Sequence, residues 1–401
     1  MRKQRDIEQR GWHSASGSER FETVIIGGGQ AGFSVGYHLA RRDRPFVILD
    51  ANERIGDSWR KRWDSLRLFT PARLNRLPGW PFPAPTWSFP TKDEMADYLE
   101  AYATRLNLPI RTGVRVDQLF REGGSFVVMS GDRRFEADNV VVASGGFQSP
   151  RVPTFAPELD PNTVQLHSSK YRNPSQLREG EVLVVGAGNS GSDIALEVSQ
   201  SHRTWLSGRH PGSEPTRPGS MWDWLLLPVI WFLASHVLNV KTPIGRKLRP
   251  KFLKMSAPLA RVKPKDIAAA GIERVPRTVG VRHGSPTVED GRVIVASNVI
   301  WCTGFRPDFG WIDLPIFGED GEPVHERGVV EPEPGLYFVG LFFLSALTSS
   351  LVGGVGRDAE HIAKHIASRE PNSWRVRRPE HAALRRRRSE LKALDIEGKK
   401  V

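Results

Sequence analysis

Short apolar runs, each closed by glycine and followed by a segment of helical spacing, recur along this chain of 401 residues. The first is ETVIIGGG (22–29). A helix through AGFSVGYHLARR follows it, and then a second strand, PFVILD, that ends at Asp50. The pattern breaks at TPARLNRLPGWPFPAPTWSFP (70–90), where the prolines argue against regular structure and for a shaped surface or an active-site wall. A helix over KDEMADYLEAYATRL leads to strands at GSFVVMS and DNVVVASGG. The motif then restarts: EVLVVGAGNSGSDIALEVSQ (181–200) repeats strand, turn and helix, and RTWLS supplies the next strand. RVIVASNVIWCTG (292–304) predicts a further apolar strand, GLYFVGL (335–341) another, and GRDAEHIAKHIAS a closing helix. Strands alternating with amphipathic helices predict an α/β fold of parallel sheets covered by helices.

One segment departs from this alternation. WLLLPVIWFLASHVLNV (224–240) is apolar for almost the ~20 residues that cross a bilayer. Pro228 and His236 interrupt it, and Asp223 and Lys241 flank it. A buried or cavity-lining helix is therefore expected, with a monotopic membrane-contacting helix and a true span as the other readings.

Composition narrows the picture only a little. With 39% apolar and 25% charged residues, the chain has the make-up of a soluble enzyme. The net charge of +12 is uneven, much of it lying in RVRRPEHAALRRRRSELKALDIEGKK (375–400). A solvated tail accounts for that charge, and docking on an anionic surface through Arg385–Arg388 is the alternative. No zinc-ligand spacing, RNP-type motif or recognition helix accompanies it, so no nucleic-acid partner and no metal are expected. Cys302 is the single cysteine. That excludes an intramolecular disulfide and a CxxC redox pair, and Cys302 itself reads as a buried small apolar residue. The N-terminal MRKQRDIEQRGWHSASGSER lacks an apolar signal core, so a cytoplasmic location is expected, membrane-associated if the apolar segment touches lipid.

The two glycine turns carry the chemistry. Gly27, Gly29 and Gly32 stand in GxGxxG spacing directly after an apolar strand. The first glycine permits the tight turn, the second lets backbone approach a pyrophosphate, and the third lets the helix pack closely. The helix N-terminus, with Gln30 and Ala31, then faces phosphate charge. Asp50 lies 18 residues after the last glycine, close to the spacing at which an acid accepts hydrogen bonds from a ribose. Gly186, Gly188 and Gly191 repeat the spacing, with Asn189 and Ser190 opening the helix. The next strand there ends in Ser207, Gly208 and Arg209 instead of an acid. A carboxylate would repel a 2′-phosphate, whereas a hydroxyl and a guanidinium bind one. The first turn thus suits FAD and the second NADPH, and a chain with both can pass a hydride from nicotinamide to flavin. Without two thiols, the electrons go on to dioxygen, a quinone or a metal carrier.

GDSWRKRWDSLRLFTPARLNRLPGWPFP (56–83), ASGGF (143–147), GAGNSG (186–191), WCTGFRPD (301–308) and GLYFVGL (335–341) together resemble the class B flavoprotein monooxygenases. That family includes flavin-containing and indole-pyruvate monooxygenases. The resemblance implies two Rossmann-like dinucleotide-binding domains, the NADPH domain inserted into the FAD domain. It divides the chain into a disordered segment 1–20, a first FAD part 21–160, and an NADPH part 161–302 with the apolar insert 222–240. A second FAD part, 303–370, and the basic tail 371–401 complete it. It implies FAD reduced by NADPH and a sheltered C4a-(hydro)peroxyflavin that gives one oxygen atom of O2 to a small organic substrate. Gly145, Gly304 and Gly340 fall in its flavin segments.

Trp59 and Trp63 are candidates to wall the flavin or substrate pocket, with core packing as the other reading. Arg306 either neutralises cofactor charge or makes a surface ion pair. The family fingerprint FxGxxxHxxxY/W corresponds to PNTVQLHSSKY (161–171). His167 and Tyr171 keep its last anchors and make His167 a catalytic candidate, although a structural histidine fits as well. Pro161 and Thr163 replace Phe and Gly, which favours an alternative: an NADPH-dependent flavin reductase or oxidase that passes electrons on without oxygenation. Tyr171 followed by Arg172 leans away from a Baeyer–Villiger enzyme. Substrate and oligomeric state stay open.

Overall fold

The protein is described by a computed structural model over residues 18–216 and 218–369. The basic tail from residue 371, with Arg385–Arg388, lies outside the described residues. The first sheet is built from β1 (Ser18–Ile26), β2 (Phe46–Leu49), β3 (Ile110–Arg111), β4 (Gln118–Glu122), β5 (Ser125–Ser130) and β6 (Arg133–Val142), in the order β3-β2-β1-β6-β5-β4. Strand β1 starts earlier than the expected disordered segment 1–20 allows: Ser18, Glu19 and Arg20 already pair with Arg134, Phe135 and Glu136. Helix α1 (Gln30–Ala40) joins β1 to β2. A short α2 (Asp57–Arg60) and α3 (Lys92–Arg105) follow, α3 opening on a capping box in which Thr91 and Glu94 satisfy each other's amides.

The chain then leaves through β7 (Ser149–Pro150) and builds a second sheet. Its strands β8 (Val164–His167), β9 (Val182–Val185), β10 (Thr204–Ser207) and β11 (Glu273–Val275) are joined by β14 (Asn298–Trp301), in the order β11-β10-β9-β14-β8 with all pairs parallel. Between β11 and β14 stands a separate hairpin, β12 (Thr278–Arg282) with β13 (Ser285–Val288). The helices of this stretch are α4 (Asn189–Val198), α5 (Met221–Phe232), α6 (Pro243–Lys254) and α7 (Pro264–Ala269). The chain returns through β15 (Phe305–Arg306), antiparallel to β7, and β16 (Leu336–Phe338) joins β6 of the first sheet. Helix α8 (Val355–Ser368) then packs on α1. The two crossings between the sheets therefore lie side by side.

Alternation along the central strands explains the layering. Ile25 enters one apolar core of the first sheet, and Val24 and Ile26 enter the other. In the second sheet Val182 and Val184 face one core and Leu183 and Val185 the opposite one. Strands apolar at every position are thus covered on both faces. RVIVASNVIWCTG is not one strand: only Asn298–Trp301 joins the sheet, while Val293 bridges to Thr287 of the hairpin. The apolar segment near residue 230 also differs from expectation. It forms α5 and a π-turn over Leu233–Val237, and most of its large side chains are exposed instead of buried or lining a cavity. No helix among the described residues is long and apolar enough to cross a membrane.

Candidate cofactor and active site

Both glycine turns sit where a central strand ends, and they share one construction. Gly27 (φ +114°) donates its amide to Leu49 at 2.8 Å, and Gly186 (φ +111°) donates to Ser207 at 2.8 Å. A Cβ on Gly27 would lie 2.5 Å from the Ala143 carbonyl, and one on Gly186 would lie 2.3 Å from the Cys302 carbonyl. The third glycine is tighter still. A Cβ on Gly32 would sit 2.0 Å from the Gly27 oxygen, and on Gly191 1.7 Å from the Gly186 oxygen. Only hydrogen fits there, and it lets α1 and α4 start directly against the turn. At Gly29 and Gly188, by contrast, the space a Cβ would fill is open, and no side chain caps either helix. Each open cradle of uncapped amides fits a pyrophosphate.

Beyond the turns the two sites diverge. Asp50 follows β2, is buried, and its Oδ1 accepts from the amide and side chain of Asn52 at 2.8 and 2.9 Å. Its Oδ2 lies so close across the turn that a Cβ on Gly28 would meet it at 2.3 Å. Gly28 is thus a residue that the GxGxxG spacing alone did not single out. Strand register pairs Ile26 with Leu49 and Val185 with Ser207, so the counterpart of Asp50 is Gly208 and not Ser207. Ser207 thus stands one residue before the position that Asp50 holds in the first unit. Its buried hydroxyl donates to the Pro276 carbonyl at 2.8 Å, contacts Thr278 Oγ1 at 2.8 Å and accepts the Thr278 amide at 2.9 Å. Arg209, the next residue but one, has a side chain 78% exposed that pairs at its tip with Glu289 at 3.5 Å. Asn189 ties the start of α4 to a neighbouring loop, accepting from Ala260 and donating to Pro258, both at 2.9 Å. Ser190 follows at the second helical position.

The strands beside the turns continue into the paired crossings. Gly145 (φ +73°) follows β6 and Gly304 (φ +82°) follows β14, each with open space beside it. Gly340 (φ +86°) comes close to the first helix, since a Cβ there would lie 2.9 Å from the Ala31 methyl. The His167 ring is committed to this junction. Nδ1 accepts the Ser169 amide at 3.2 Å, which makes Nε2 the protonated nitrogen donating to the Gly304 carbonyl at 3.1 Å. Burial lowers its pKa, the Gly304 bond opposes this and Arg62 adds to it. With both nitrogens engaged, the His167 ring ties β8 to the segment that follows β14. Tyr171 is fully buried and donates to Glu197 of α4 at 2.7 Å. Pro161 and Thr163 fall in a turn where the Thr163 amide donates to Asp160 at 2.8 Å.

The tryptophan-rich segment joins the two units. Trp59 packs against the core of the first sheet, whereas Trp63 is buried in the core of the second, with no hydrogen-bond partner for its Nε1. Trp63 is therefore a packing residue. Between them stands Arg62, which patterning did not single out. Its guanidinium lies 5.7 Å from the Phe147 ring and 5.5 Å from Phe305, on the two crossings, and burial lowers its pKa with help from Arg172. Arg306 is exposed. The proline-rich loop is pinned from beneath: Tyr98 donates to Trp80 at 2.7 Å and Tyr102 to Pro78 at 2.6 Å.

Comparison with known proteins identifies this architecture. An uncharacterized CzcO-like oxidoreductase of Geobacillus kaustophilus is 40% identical, covering 86% of this chain and 98% of its own length. The chain belongs to this family of CzcO-like, flavin-monooxygenase-like oxidoreductases. A flavin-containing monooxygenase from Stenotrophomonas maltophilia superimposes with a TM-score of 0.70 at 29% identity, covering 87% of this chain and 98% of that one. A probable indole-3-pyruvate monooxygenase of Arabidopsis thaliana is 29% identical, covering 91% and 90% of the two chains. Residues 24–218 also match the family described as pyridine nucleotide-disulphide oxidoreductase. This CzcO-like chain is a flavin-dependent oxidoreductase that uses FAD and NADPH. The dithiol chemistry in that broader family description has no counterpart in this chain: its one thiol, Cys302, lies in apolar surroundings that push its pKa up.

Proposed function

We propose that this chain is an NADPH-dependent flavin monooxygenase that transfers one oxygen atom of O2 to a small apolar organic molecule. The reading rests above all on the paired crossings. The strands β6 and β14, whose following carbonyls close the two turns, continue into β7 and β15, which pair with each other. Two nucleotides lying at the strand ends then have their reactive rings directed toward one junction.

In this reading the amides of Gln30, Ala31 and Gly32 hold the FAD pyrophosphate, and Asp50 holds its ribose. Gly29, Gly145, Gly304 and Gly340 give the cofactor backbone-close surfaces, and Trp59 stands beside it. The amides of Asn189, Ser190 and Gly191 hold the NADPH pyrophosphate, beside the open cradle at Gly188, and Arg209 its 2′-phosphate. Bound FAD supplies hydride acceptance and reaction with dioxygen. The chain's own residues orient and shelter. His167 keeps its proton on Nε2 for Gly304, Arg62 places a partly buried positive charge at the junction, and the proline-rich loop excludes water. The protein should purify yellow and bleach with NADPH under argon. Under 18O2 it should then label one of a panel of amines, sulfides and ketones. Absence of bound flavin would sink the reading.

The turn at Asp160–Thr163, where the fingerprint loses its Phe and Gly, supports a second reading: an NADPH-dependent reductase or oxidase that hands electrons on without oxygenation. Reoxidation that yields only hydrogen peroxide across the whole panel, with no labelled product, would favour it.

A further inference from the structure

Helix α5 is apolar on almost every side, yet only its Asp223, Leu227 and Trp231 turn toward the body of the protein, joined by Ser235 of the π-turn that follows. Asp223 is held there by Thr216 and Gly219, both at 3.1 Å, and Ser235 contacts Thr348 at 3.2 Å. Trp224 leans on Trp87 at 5.0 Å. Everything else projects outward, including Met221, Trp222, Leu225 and Val229, at 72, 63, 59 and 54% exposure. A helix with apolar residues all round is ordinarily covered by protein or lipid, and an exposed apolar patch of this density marks an interaction surface.

Helix α6, which follows directly, supplies the second half. It exposes Ile244 and Leu253 together with Arg246, Lys247, Lys251 and Lys254. No acidic residue occurs between Asp223 and Asp266, and the three lysines meet no carboxylate among the described residues. Apolar side chains beside an unneutralised row of lysines match the boundary between acyl chains and anionic headgroups. A second copy of the chain fits less well, because a two-fold contact through this face would bring like-charged α6 rows together. A span is excluded by length among the described residues.

We propose that the consecutive helices α5 and α6 form a monotopic membrane contact that seats this protein on an anionic lipid surface. This goes beyond the redox chemistry and does not depend on it. The test is sedimentation of the FAD-loaded full chain with vesicles of phosphatidylcholine alone or with about 30% phosphatidylglycerol. The wild type should bind the anionic vesicles at least about tenfold more tightly, and about 0.5 M salt should remove most of that preference. Replacing Lys247, Lys251 and Lys254 by Glu should abolish the preference, at roughly fivefold per lysine. Replacing Trp222, Leu225 and Val229 by Ser should abolish binding to both vesicle types, with flavin content unchanged in both variants. Tryptophan quenching of the wild type by bromine-labelled acyl chains reads insertion without any variant. A wild type that binds neither vesicle and shows no quenching overturns the proposal. So does a vesicle-indifferent dimer that the α5 variant converts to monomer.

Discussion

The turn at Gly27–Gly32 and the turn at Gly186–Gly191 have the same backbone and different surroundings. Each begins with a glycine pressed on the carbonyl of a neighbouring strand and ends with one pressed on its own turn. What differs is the residue after the second strand. The first unit places a buried carboxylate there, and the second places Gly208, followed by an exposed arginine. The comparison teaches that phosphate binding and nucleotide choice are written in separate layers. In the proposed reading the glycines cradle a pyrophosphate, and the residues at the end of the next strand choose the ribose.

Breaking the cradles should have the largest effect, and it should separate the two units. In Gly32→Ala the new methyl would have to displace α1 from the turn, since backbone and not a flexible side chain stands in its way. Such overpacking costs roughly 1–3 kcal/mol, about 5- to 150-fold in the affinity of the cradle. Gly32→Ala should therefore purify almost colourless, whereas Gly191→Ala should keep its flavin and lose about a hundredfold in NADPH affinity. Flavin absorbance per protein and anaerobic NADPH titration check both. Loss of flavin in both variants would mean that the turns do not serve different nucleotides.

Next in size is Asp50→Ala. A buried carboxylate hydrogen-bonded to a ribose contributes about 1.5–3 kcal/mol, so FAD should bind roughly 10–100-fold more weakly, measured on deflavinated protein by fluorescence quenching. Arg209→Ala sharpens the other side. It should weaken NADPH by about tenfold while leaving NADH unchanged, because an exposed guanidinium contributes only through the extra phosphate. Ser207→Ala is its control. It should lower the unfolding free energy by about 1–3 kcal/mol, because it orphans the Pro276 and Thr278 partners, with the NADPH/NADH ratio unaltered. A changed ratio would return Ser207 to the phosphate site.

The glycines were legible because a positive φ or a close backbone approach is demanded by geometry and met by one residue type. Ser207 could not be told from Gly208 by counting along RTWLS, because only the register with β9 shows which residue stands where Asp50 does in the first unit. The apolar segment near residue 230 was misread for another reason. Core packing and lipid contact call for the same composition, and only the neighbours distinguish them. His167 could be placed by the fingerprint but not assigned, since its role depends on Gly304, a residue 137 positions away. Arg62 carries no periodic signal at all, and its place between two phenylalanines exists only once both crossings are folded.

The smallest expected effect concerns acid, and it again divides the units. In the first, burial lowers His38, His325 and His361 to about 4, and lowers His365 as well. In the second, His167 is lowered too, but its bond to Gly304 offsets part of the effect of burial. A histidine held neutral in the fold takes up a proton on unfolding once the pH is below about 6.5. Stability is thus full above about pH 6.5 and declines as pH falls toward about 4, and the first unit should decline more steeply because it holds four such rings against one. Hydrogen exchange followed by mass spectrometry, corrected for intrinsic rates, should show β1 and α1 losing protection before β9 and α4 between about pH 6.5 and 5. His38→Gln, which cannot take up that proton, should reduce the difference. If the two units lose protection together, the buried histidines do not set the acid sensitivity, and the carboxylates of the surface ion pairs do.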